Sequence, residues 1–284
     1  MRAKSPPVPR LSTAAKGKGE SEMKRKRIIG LLGLAAAVCL ATSSTLRADI
    51  TSENTNFIDK AYQDLLQRSP SPTDVANGLL LLGSENRETY AFMLDTSTEY
   101  RQLLVQSYVQ DLLGRAANPT DLSFFVPLLS TESDQFVQAQ IAGSLEFFLK
   151  SGGTDADFVT ALFKDFLNRT PTSTDLALWV GLLGTKSRND VATLFLEGID
   201  YDRSLVSGYF LQYLRRPAGS TELNFFANDL NAKKVTDEQV IASLIGSDEY
   251  FNLAQPPPPA PTPEPRTAVL LGLGFAVLIL LRRH

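Results

Sequence analysis

The sequence predicts an all-α protein of about four repeats of three short helices, with a signal helix at one end and a membrane helix at the other. Three observations support this prediction. One motif recurs four times between residues 56 and 252, apolar residues follow a helical period within the copies, and patterns typical of strands are almost absent. The hydrophobic fraction of 43% is sufficient for a folded core.

The first 48 residues have the layout of a secretory signal peptide. A basic run, Lys24–Arg27, precedes the apolar stretch Ile28–Ala41, and a small polar segment follows it. Charged, apolar and small polar segments in this order are typical of export signals that are removed by cleavage. We expect cleavage after Ala48, with Ala41 as the alternative, and Met23 as the true start.

Recurring charges define the four copies, which are numbered here in chain order. The copies carry one arginine each, at spacings of 47, 54 and 47 residues: Arg68, Arg115, Arg169 and Arg216. Four residues earlier stand Asp64, Asp111, Asp165 and Gln212. Six residues later stand Asp74, Asp121, Asp175 and Glu222. Each copy ends about 32 residues after its arginine in an acid followed by an aromatic: Glu99-Tyr100, Glu146-Phe147, Asp200-Tyr201 and Glu249-Tyr250.

Each copy is predicted to form three helices. The first ends at the arginine, as in Phe158–Arg169, where apolar residues recur at helical spacing. The second begins at a capping residue three positions before the recurring acid: Ser71, Asn118, Thr172 and Gly219. The third is clearest in Arg188–Ile199 and Thr236–Ile245, and a Ser-x-Glu-Tyr-like stop is expected to end it.

The recurring charges have a structural interpretation and a functional one. The acid four residues before each arginine is expected to pair with it on one helix. The arginine fork is also expected to reach the acid of the next helix and to clamp the two helices. The alternative is a binding or catalytic array. We expect the structural role, because packing contacts are copied with every repeat and catalytic pairs rarely are.

The second helices carry aromatic residues at matching positions, Phe125, Trp179 and Phe226, whereas Gly78 stands at this position in copy one. Their spacing predicts core residues, and a sugar-stacking platform is the alternative. The copies together resemble the bacterial family called domain of unknown function 4214, over roughly residues 56–252. Copy three matches it best, through Phe163, Leu167, Arg169, Pro171, Asp175, Trp179, Leu183, Gly184 and Tyr201. This resemblance implies secreted or surface proteins without an established activity.

The C-terminal region predicts a stalk and a sorting signal. The proline-rich segment 256–265 is expected to form an extended, semi-rigid spacer. An uncharged stretch, Thr267–Leu281, follows and is short for a bilayer of about 30 Å. The triad Pro263-Glu264-Pro265, the short apolar helix and the pair Arg282-Arg283 resemble a PEP-CTERM tail. That resemblance implies recognition and cleavage by exosortase, a membrane protease of exopolysaccharide-producing bacteria.

Composition excludes several classes of function. Residues 49–255 carry 28 acidic and 15 basic residues, and this acidic balance argues against nucleic acid as a partner. The only Cys and the only His are Cys39 and His284, which processing at both ends would remove. A mature protein without them has no disulfide, thiol or imidazole chemistry and no Cys/His zinc site. No cofactor is expected.

These features predict an exported, non-enzymatic protein of the cell surface or extracellular matrix. Expected partners are exosortase and the secretion machinery, the membrane through the C-terminal helix, and exopolysaccharide or matrix proteins. One alternative is a polysaccharide-acting enzyme whose two carboxylates lie outside the repeat register in one cleft. Another is calcium-dependent assembly through Asp155/Asp157 and Asp200/Asp202, which are otherwise solvated helix ends. Repeats one and two are assigned to residues 49–151, and repeats three and four to 152–255. The repeats are expected to pack as an open array or as two paired bundles.

Overall fold

The computed structural model of the chain describes residues 50–257. The chain divides into two compact units, 1–54 and 55–284, and only residues 50–54 of the first are described. Residues 50–257 contain helices and turns but no strand, so the all-α class is confirmed there. The predicted signal peptide, the predicted stalk beyond residue 257, the predicted membrane helix and the motif residues Pro263, Glu264, Pro265, Arg282 and Arg283 lie outside the described residues.

Fourteen helices lie within residues 50–257, and none of them is both long and apolar enough to cross a bilayer. They are α1 (50–66), α2 (Pro72–Leu82), α3 (Arg87–Asp95), α4 (Thr98–Leu113), α5 (Pro119–Leu128), α6 (Asp134–Ala142), α7 (Leu145–Lys150), α8 (Asp155–Leu167), α9 (Ser173–Leu183), α10 (Arg188–Leu196), α11 (Ile199–Tyr213), α12 (Ser220–Asn231), α13 (Asp237–Gly246) and α14 (Asp248–Ala254).

The first helix of each copy ends just before the recurring arginine. The residue preceding that arginine has left-handed backbone geometry in every copy: Gln67 (φ 53°), Gly114 (φ 72°), Asn168 (φ 49°) and Arg215 (φ 57°). A left-handed residue at this position is a common way to end a helix, because it redirects the chain and satisfies terminal carbonyls. The arginine therefore lies in the turn between two helices, where it faces the helix that follows.

The second helices begin at the expected capping residues. Ser71, Asn118 and Thr172 accept hydrogen bonds from backbone N–H groups of the first turn. Gly219 has no side-chain cap, but its N–H donates to Glu222, as capping-box geometry requires. These four predicted helix starts are confirmed.

The prediction that Ser-x-Glu-Tyr ends the third helix is wrong, because this segment begins the next helix. Ser97, Ser144 and Ser247 are the N-caps of α4, α7 and α14, and each accepts a bond from the N–H three residues on. Gly198 takes this position before α11. A serine followed by an acid is a helix-start pattern, since both groups complement exposed N–H groups. As a result, α4 and α11 run on from one copy into the next.

Two hydrophobic cores hold the helices together. The first core joins copies one and four, and its buried residues include Phe57, Tyr100, Phe210 and Tyr250. The second core joins copies two and three through a separate set of residues that includes Phe147, Phe158, Phe195 and Tyr201. Helix α4 contributes to both cores, with Tyr100 in the first and Val105, Val109 and Leu112 in the second. Helix α11 does the same in the opposite order.

The third helices of the copies pack in two pairs, α3 with α13 and α6 with α10. The pairing of α3 with α13 brings the first copy onto the last, whereas repeats of an open array contact only their neighbours. The packing therefore corresponds to paired bundles. Segments 49–151 and 152–255 each contribute to both cores, so the division of the sequence into these two halves does not follow the cores.

The paired third helices approach each other closely at a glycine. A Cβ atom placed on Gly143 would lie 2.7 Å from the Cα atom of Asn189 in α10. A Cβ atom on Gly246 would lie 2.7 Å from the Cα atom of Glu88 in α3. Such distances are below van der Waals contact, so only glycine lets the backbones meet in this way. Asn189 Nδ2 then donates to Gln140 at 2.7 Å, and Ser243 donates to Glu88 at 2.7 Å.

We predict that Gly143→Ala and Gly246→Ala each lower the free energy of unfolding by about 1–3 kcal/mol, because the added methyl group forces the paired backbones apart. Gly181→Ala and Gly208→Ala are the matched controls. Both glycines lie inside helices, and a Cβ atom there would meet nothing within 4 Å.

The controls are expected to raise stability by about 0.5–1 kcal/mol, the ordinary helical advantage of alanine over glycine. Urea denaturation followed by circular dichroism measures all four variants. Equal effects of the interface and control substitutions would contradict the close-approach argument.

Candidate functional site

Three of the four recurring arginines form complete clamps with two carboxylates each. Arg68 Nε donates to Glu99 Oε1 at 2.5 Å and Nη2 to Oε2 at 3.0 Å, while Nη1 donates to Asp74 at 2.9 Å. In copies two and four the same fork is formed by Arg115 with Glu146 and Asp121, and by Arg216 with Glu249 and Glu222. Each clamp therefore joins the first turns of two helices that are separated by one further helix in the chain, α2 with α4, α5 with α7, and α12 with α14.

The clamp of copy three is incomplete. Arg169 Nη1 donates to Asp175 at 2.9 Å, and the guanidinium group lies over the Phe163 ring with 4.5 Å to its centroid. The acid at the second carboxylate position, Asp200, instead contacts Arg203 at 3.9 Å. Asp200 has a shorter side chain than the glutamates at this position in the other three copies.

The expected pairing of each arginine with the acid four residues before it is wrong. Asp64 binds Lys60 at 2.7 Å, Arg215 at 3.1 Å and the Tyr250 hydroxyl at 2.9 Å. Asp111 accepts a bond from Ser107 at 2.9 Å, and the ion pair formed by Arg169 is the one with Asp175. The reason is the left-handed residue before each arginine, because it takes the arginine off the face of the first helix.

The clamps lower the pKa of their carboxyl groups. The pKa of Asp74 falls to about 2, first through the backbone N–H of Ser71 and then through Arg68. The pKa of Glu222 also falls to about 2, mainly through Arg216. Carboxyl groups with a lowered pKa stabilise the fold at neutral pH, and this contribution is lost as the pH falls from about 4.5 towards 2. Each recurring arginine thus binds the acid six residues after it, as a structural role requires.

The aromatic residues of the second helices pack against the cores. Trp179 contacts Phe195 at a ring separation of 5.0 Å in the second core, and Phe226 contacts Phe210 at 6.0 Å in the first. The residues just before them, Phe124, Leu178 and Phe225, are 59–60% exposed. Phe125, Trp179 and Phe226 are therefore mainly core residues. Gly78, at this position in copy one, is buried, and a Cβ atom there would lie 2.8 Å from Ile58.

A cavity of about 450 Å³ is lined by residues from all four copies, and it is called the central cavity here. Its walls come from the ends of α3, α10 and α12, the starts of α4, α6, α11 and α13, and the loops before α6 and α13. The charged residues that line it are Arg101, Glu132, Asp134, Glu197, Asp202, Lys233, Asp237 and Glu238. Its apolar lining residues are Phe92, Leu129, Leu196, Leu230 and Val235.

Two of the central carboxyl groups depart from the four-fold repeat pattern. Asp134 and Asp237 are the first residues of α6 and α13, the third helices of copies two and four. Arg87 and Arg188 occupy this position in copies one and three, where each guanidinium group lies over a phenylalanine ring at 4.4 Å. The first residue of the third helix is therefore an arginine outside the cavity in copies one and three, and an aspartate that lines the cavity in copies two and four.

The buried carboxyl groups of the cavity have few neutralising partners. The Tyr108 hydroxyl donates to Asp134 at 2.7 Å, and Gln135 Nε2 donates to both oxygens of Asp237 at 3.0 Å. Asn231 donates to Asp202 at 3.0 Å. Burial raises the pKa of all three carboxyl groups, and Glu238 raises that of Asp134 further. Loss of water disfavours the charged form of each group.

Asp95 is the most isolated of these acids. It is 1% exposed, and neither carboxyl oxygen has a hydrogen-bond partner in the structure. Burial raises its pKa to about 9, and the nearby carboxyl groups of Glu238 and Asp134 add to the shift. Strongly shifted groups beside a cavity are candidates for function, because an ordinary packing role does not require an ionisable side chain there.

Sequence reasoning did not identify the central cavity. Asp202 was assigned to a solvated helix start, yet it is 4% exposed and lines the cavity. Asp155 and Asp157 do lie in the first turn of α8 and are exposed. The alternation of Asp134 and Asp237 with Arg87 and Arg188 was the available clue. No group of three or more His, Cys, Asp or Glu side chains suited to a metal ion occurs within residues 50–257.

Comparison with protein families gives one match. Residues 138–203 match the family described as Domain of unknown function (DUF4214). The matched segment runs from α6 into α11 and includes Arg169, Asp175, Trp179 and Tyr201 of copy three. No curated protein and no solved structure matches the chain. This similarity supports the resemblance seen in copy three and names no activity.

We predict that Arg115→Ala lowers the free energy of unfolding by about 1–2 kcal/mol, because it breaks a fork to two partly exposed carboxylates. Arg169→Ala is the matched variant and is expected to cause a smaller loss, since Arg169 binds one carboxylate. Urea denaturation at pH 7 measures both. Unchanged stability of Arg115→Ala would contradict the structural role.

We predict that Asp95→Asn makes stability less dependent on pH between about 4 and 9. The pKa of Asp95 is raised in the folded state, so its ionisation in the unfolded chain increasingly favours unfolding as the pH rises through this window. The variant should be more stable than the wild type at pH 7, by at most about 4 kcal/mol.

The control for this prediction is Glu85→Gln, which removes an exposed carboxylate. Thermal unfolding from pH 4 to pH 9 gives the three profiles. If the Asp95→Asn profile runs parallel to that of the wild type, Asp95 is ionised in the folded protein and the argument from burial is wrong.

Proposed function

We propose that the chain is an exported, non-enzymatic protein of the cell surface or extracellular matrix. In this proposal an exosortase processes its C-terminal tail, and the helical body has an interaction or structural role near exopolysaccharide. The observation that carries the proposal is the tail itself, in which Pro263-Glu264-Pro265, a short apolar stretch and Arg282-Arg283 follow a proline-rich spacer. The tail would hold the protein at the inner membrane until cleavage releases it to the surface.

The positions of the buried residues support processing at both ends. The buried part of the described body begins at Phe57 and ends at Tyr250. Cleavage after Ala48, or after Ala41, and cleavage beyond Pro256 would leave every buried residue of the described body in place. A secreted form would therefore keep all the core residues that the structure describes in residues 50–257.

The repeated contacts support a scaffold of four related units. The family match covers copy three, and copies one, two and four share the complete arginine clamp described above. We therefore propose that all four copies are repeats of the same family. The clamps engage the arginines and the acids that bind them, and in this proposal those charges serve the scaffold.

We predict that Glu264→Gln blocks processing of the full chain in an exosortase-positive host. The wild-type protein should lose its C-terminal segment and leave the membrane fraction, whereas the variant should keep the segment and stay in the membrane fraction. Mass spectrometry and cell fractionation measure both results. Glu85→Gln is the control, because it changes an exposed glutamate of the helical body.

An unchanged mass and destination of Glu264→Gln would reject the sorting proposal. A host strain without the exosortase should reproduce the effect of Glu264→Gln in the wild-type protein. If the wild-type protein is processed equally in both strains, another protease acts on the tail.

A second candidate function is hydrolysis of extracellular polysaccharide by paired carboxylates. The central cavity favours it, because Asp134 and Asp237 leave the repeat pattern and line one cleft. Such enzymes need one carboxyl group that stays protonated near neutral pH, and burial raises the pKa of Asp134 in that direction. Turnover of matrix polysaccharide by the full chain, abolished in Asp134→Asn, would support the enzyme. No turnover by the wild-type protein would favour the non-enzymatic role.

A further inference from the structure

The central cavity has more acidic than basic side chains in its walls. Six carboxylic acids line it, against two basic residues, Arg101 and Lys233. One of the two is already engaged, because Lys233 binds Glu197 at 2.9 Å. The acids in the walls therefore outnumber the cations available to neutralise them. A positively charged ligand could pair with the acids that have no basic partner in the walls.

The shape and polarity of the cavity suit a small organic molecule. Its volume of about 450 Å³ falls within the range of small-molecule sites, about 300–1,000 Å³. Glu132, Glu197 and Lys233 are exposed, so the cavity opens to solvent beside them. Asp134, Asp202 and Asp237 are 4–6% exposed and lie deeper. Leu129, Leu230 and other apolar side chains complete the walls, which would pack against the carbon skeleton of a ligand.

Asp95 provides a second observation beside the cavity, next to its lining residue Thr96, although Asp95 itself does not line the cavity. Its carboxyl group is buried, has no hydrogen-bond partner and interacts electrostatically with Glu238, Asp134 and Arg101, all of which line the cavity. A buried polar group without a partner is destabilising, typically by about 1–3 kcal/mol. Positive charge placed among these residues would favour the ionised forms of Asp95 and Asp134, which burial disfavours.

We propose that the central cavity binds a small polar ligand through a protonated amine, which the buried carboxylates around Asp134, Asp202 and Asp237 hold by charge-assisted hydrogen bonds. An amino sugar and a polyamine share this chemistry. This site is separate from the arginine clamps and from the sorting tail, so it does not rest on the proposed export. Binding and hydrolysis are also measured separately, and neither result decides the other.

Binding should depend on pH, because the carboxyl groups must be ionised to pair with an amine. The charged and titratable groups around the cavity come from every element of its walls: Asp95 of α3, Arg101 of α4, Glu132 before α6, Asp134 of α6, Glu197 after α10, Asp202 of α11, Lys233 after α12, and Asp237 and Glu238 of α13. Burial favours the protonated form of the deeper acids, so a bound amine should displace protons. Affinity should therefore rise from pH 5 to pH 7.

Isothermal titration calorimetry on the full chain tests the proposal with three probes. Glucosamine carries the amine on a sugar ring, N-acetylglucosamine has the same ring without the charge, and spermidine carries amines without a ring. We expect glucosamine or spermidine to bind at least about tenfold more tightly than N-acetylglucosamine, about 1.4 kcal/mol. Whichever amine binds more tightly identifies the source of the ligand. Proton release, measured in two buffers, should accompany binding.

Asp202→Asn and Glu238→Gln test the site itself. Each should weaken amine binding at least about tenfold, while Asp155→Asn, an exposed acid at the start of α8, should leave binding unchanged. Glu238 is half-buried, so this variant remains informative if Asp202→Asn fails to fold. Equal binding of glucosamine and N-acetylglucosamine would overturn the proposal. Wild-type affinity in both folded variants, or no binding of either amine, would overturn it as well.

Discussion

The close contact between paired third helices is the constraint on which the rest of the structure depends. Gly143 and Gly246 lie where the backbones of α6 and α10, and of α13 and α3, come too close to admit a side chain. These contacts pair copy two with copy three and copy four with copy one. The two cores follow from this pairing, because each core is the apolar surface that one pair of copies buries together.

The arginine clamps fix the local geometry that makes this pairing possible. Each arginine follows a left-handed residue and so leaves the first helix, and in copies one, two and four it binds acids at the starts of two later helices. The clamp therefore sets the direction in which the chain continues. Copy three shows that the second carboxylate is not essential for packing. Arg169 binds one carboxylate there, and the copy still packs into the second core. This agrees with the small contribution to stability that a partly exposed ion pair makes.

Acids in the clamps and acids in the central cavity respond to their surroundings in opposite ways. Asp74 and Glu222 have a lowered pKa because arginine and backbone N–H groups stabilise their charge. Asp95 and Asp134 have a raised pKa because the loss of water on burial outweighs the attraction of the nearby Arg101. Groups that a fold maintains at a cost in stability are found mostly at sites of function. This contrast separates the recurring structural charges from the central ones, which depart from the repeat.

The sequence by itself determined the helical class, the starts of the second helices and the arginine-to-acid contact across each turn. These features are local, because capping residues and helical periodicity act over a few neighbouring positions. The Ser-x-Glu-Tyr segment was assigned to the wrong end of a helix, since the same residues fit either boundary until the next helix is seen. Only the tertiary structure decided which copies pair and which acids become buried. Gly143 resembles any other helix-terminal glycine in the sequence, and Asp134 resembles any other acid in a first turn. Their roles arise from contacts between segments far apart in the chain, which local patterns do not encode.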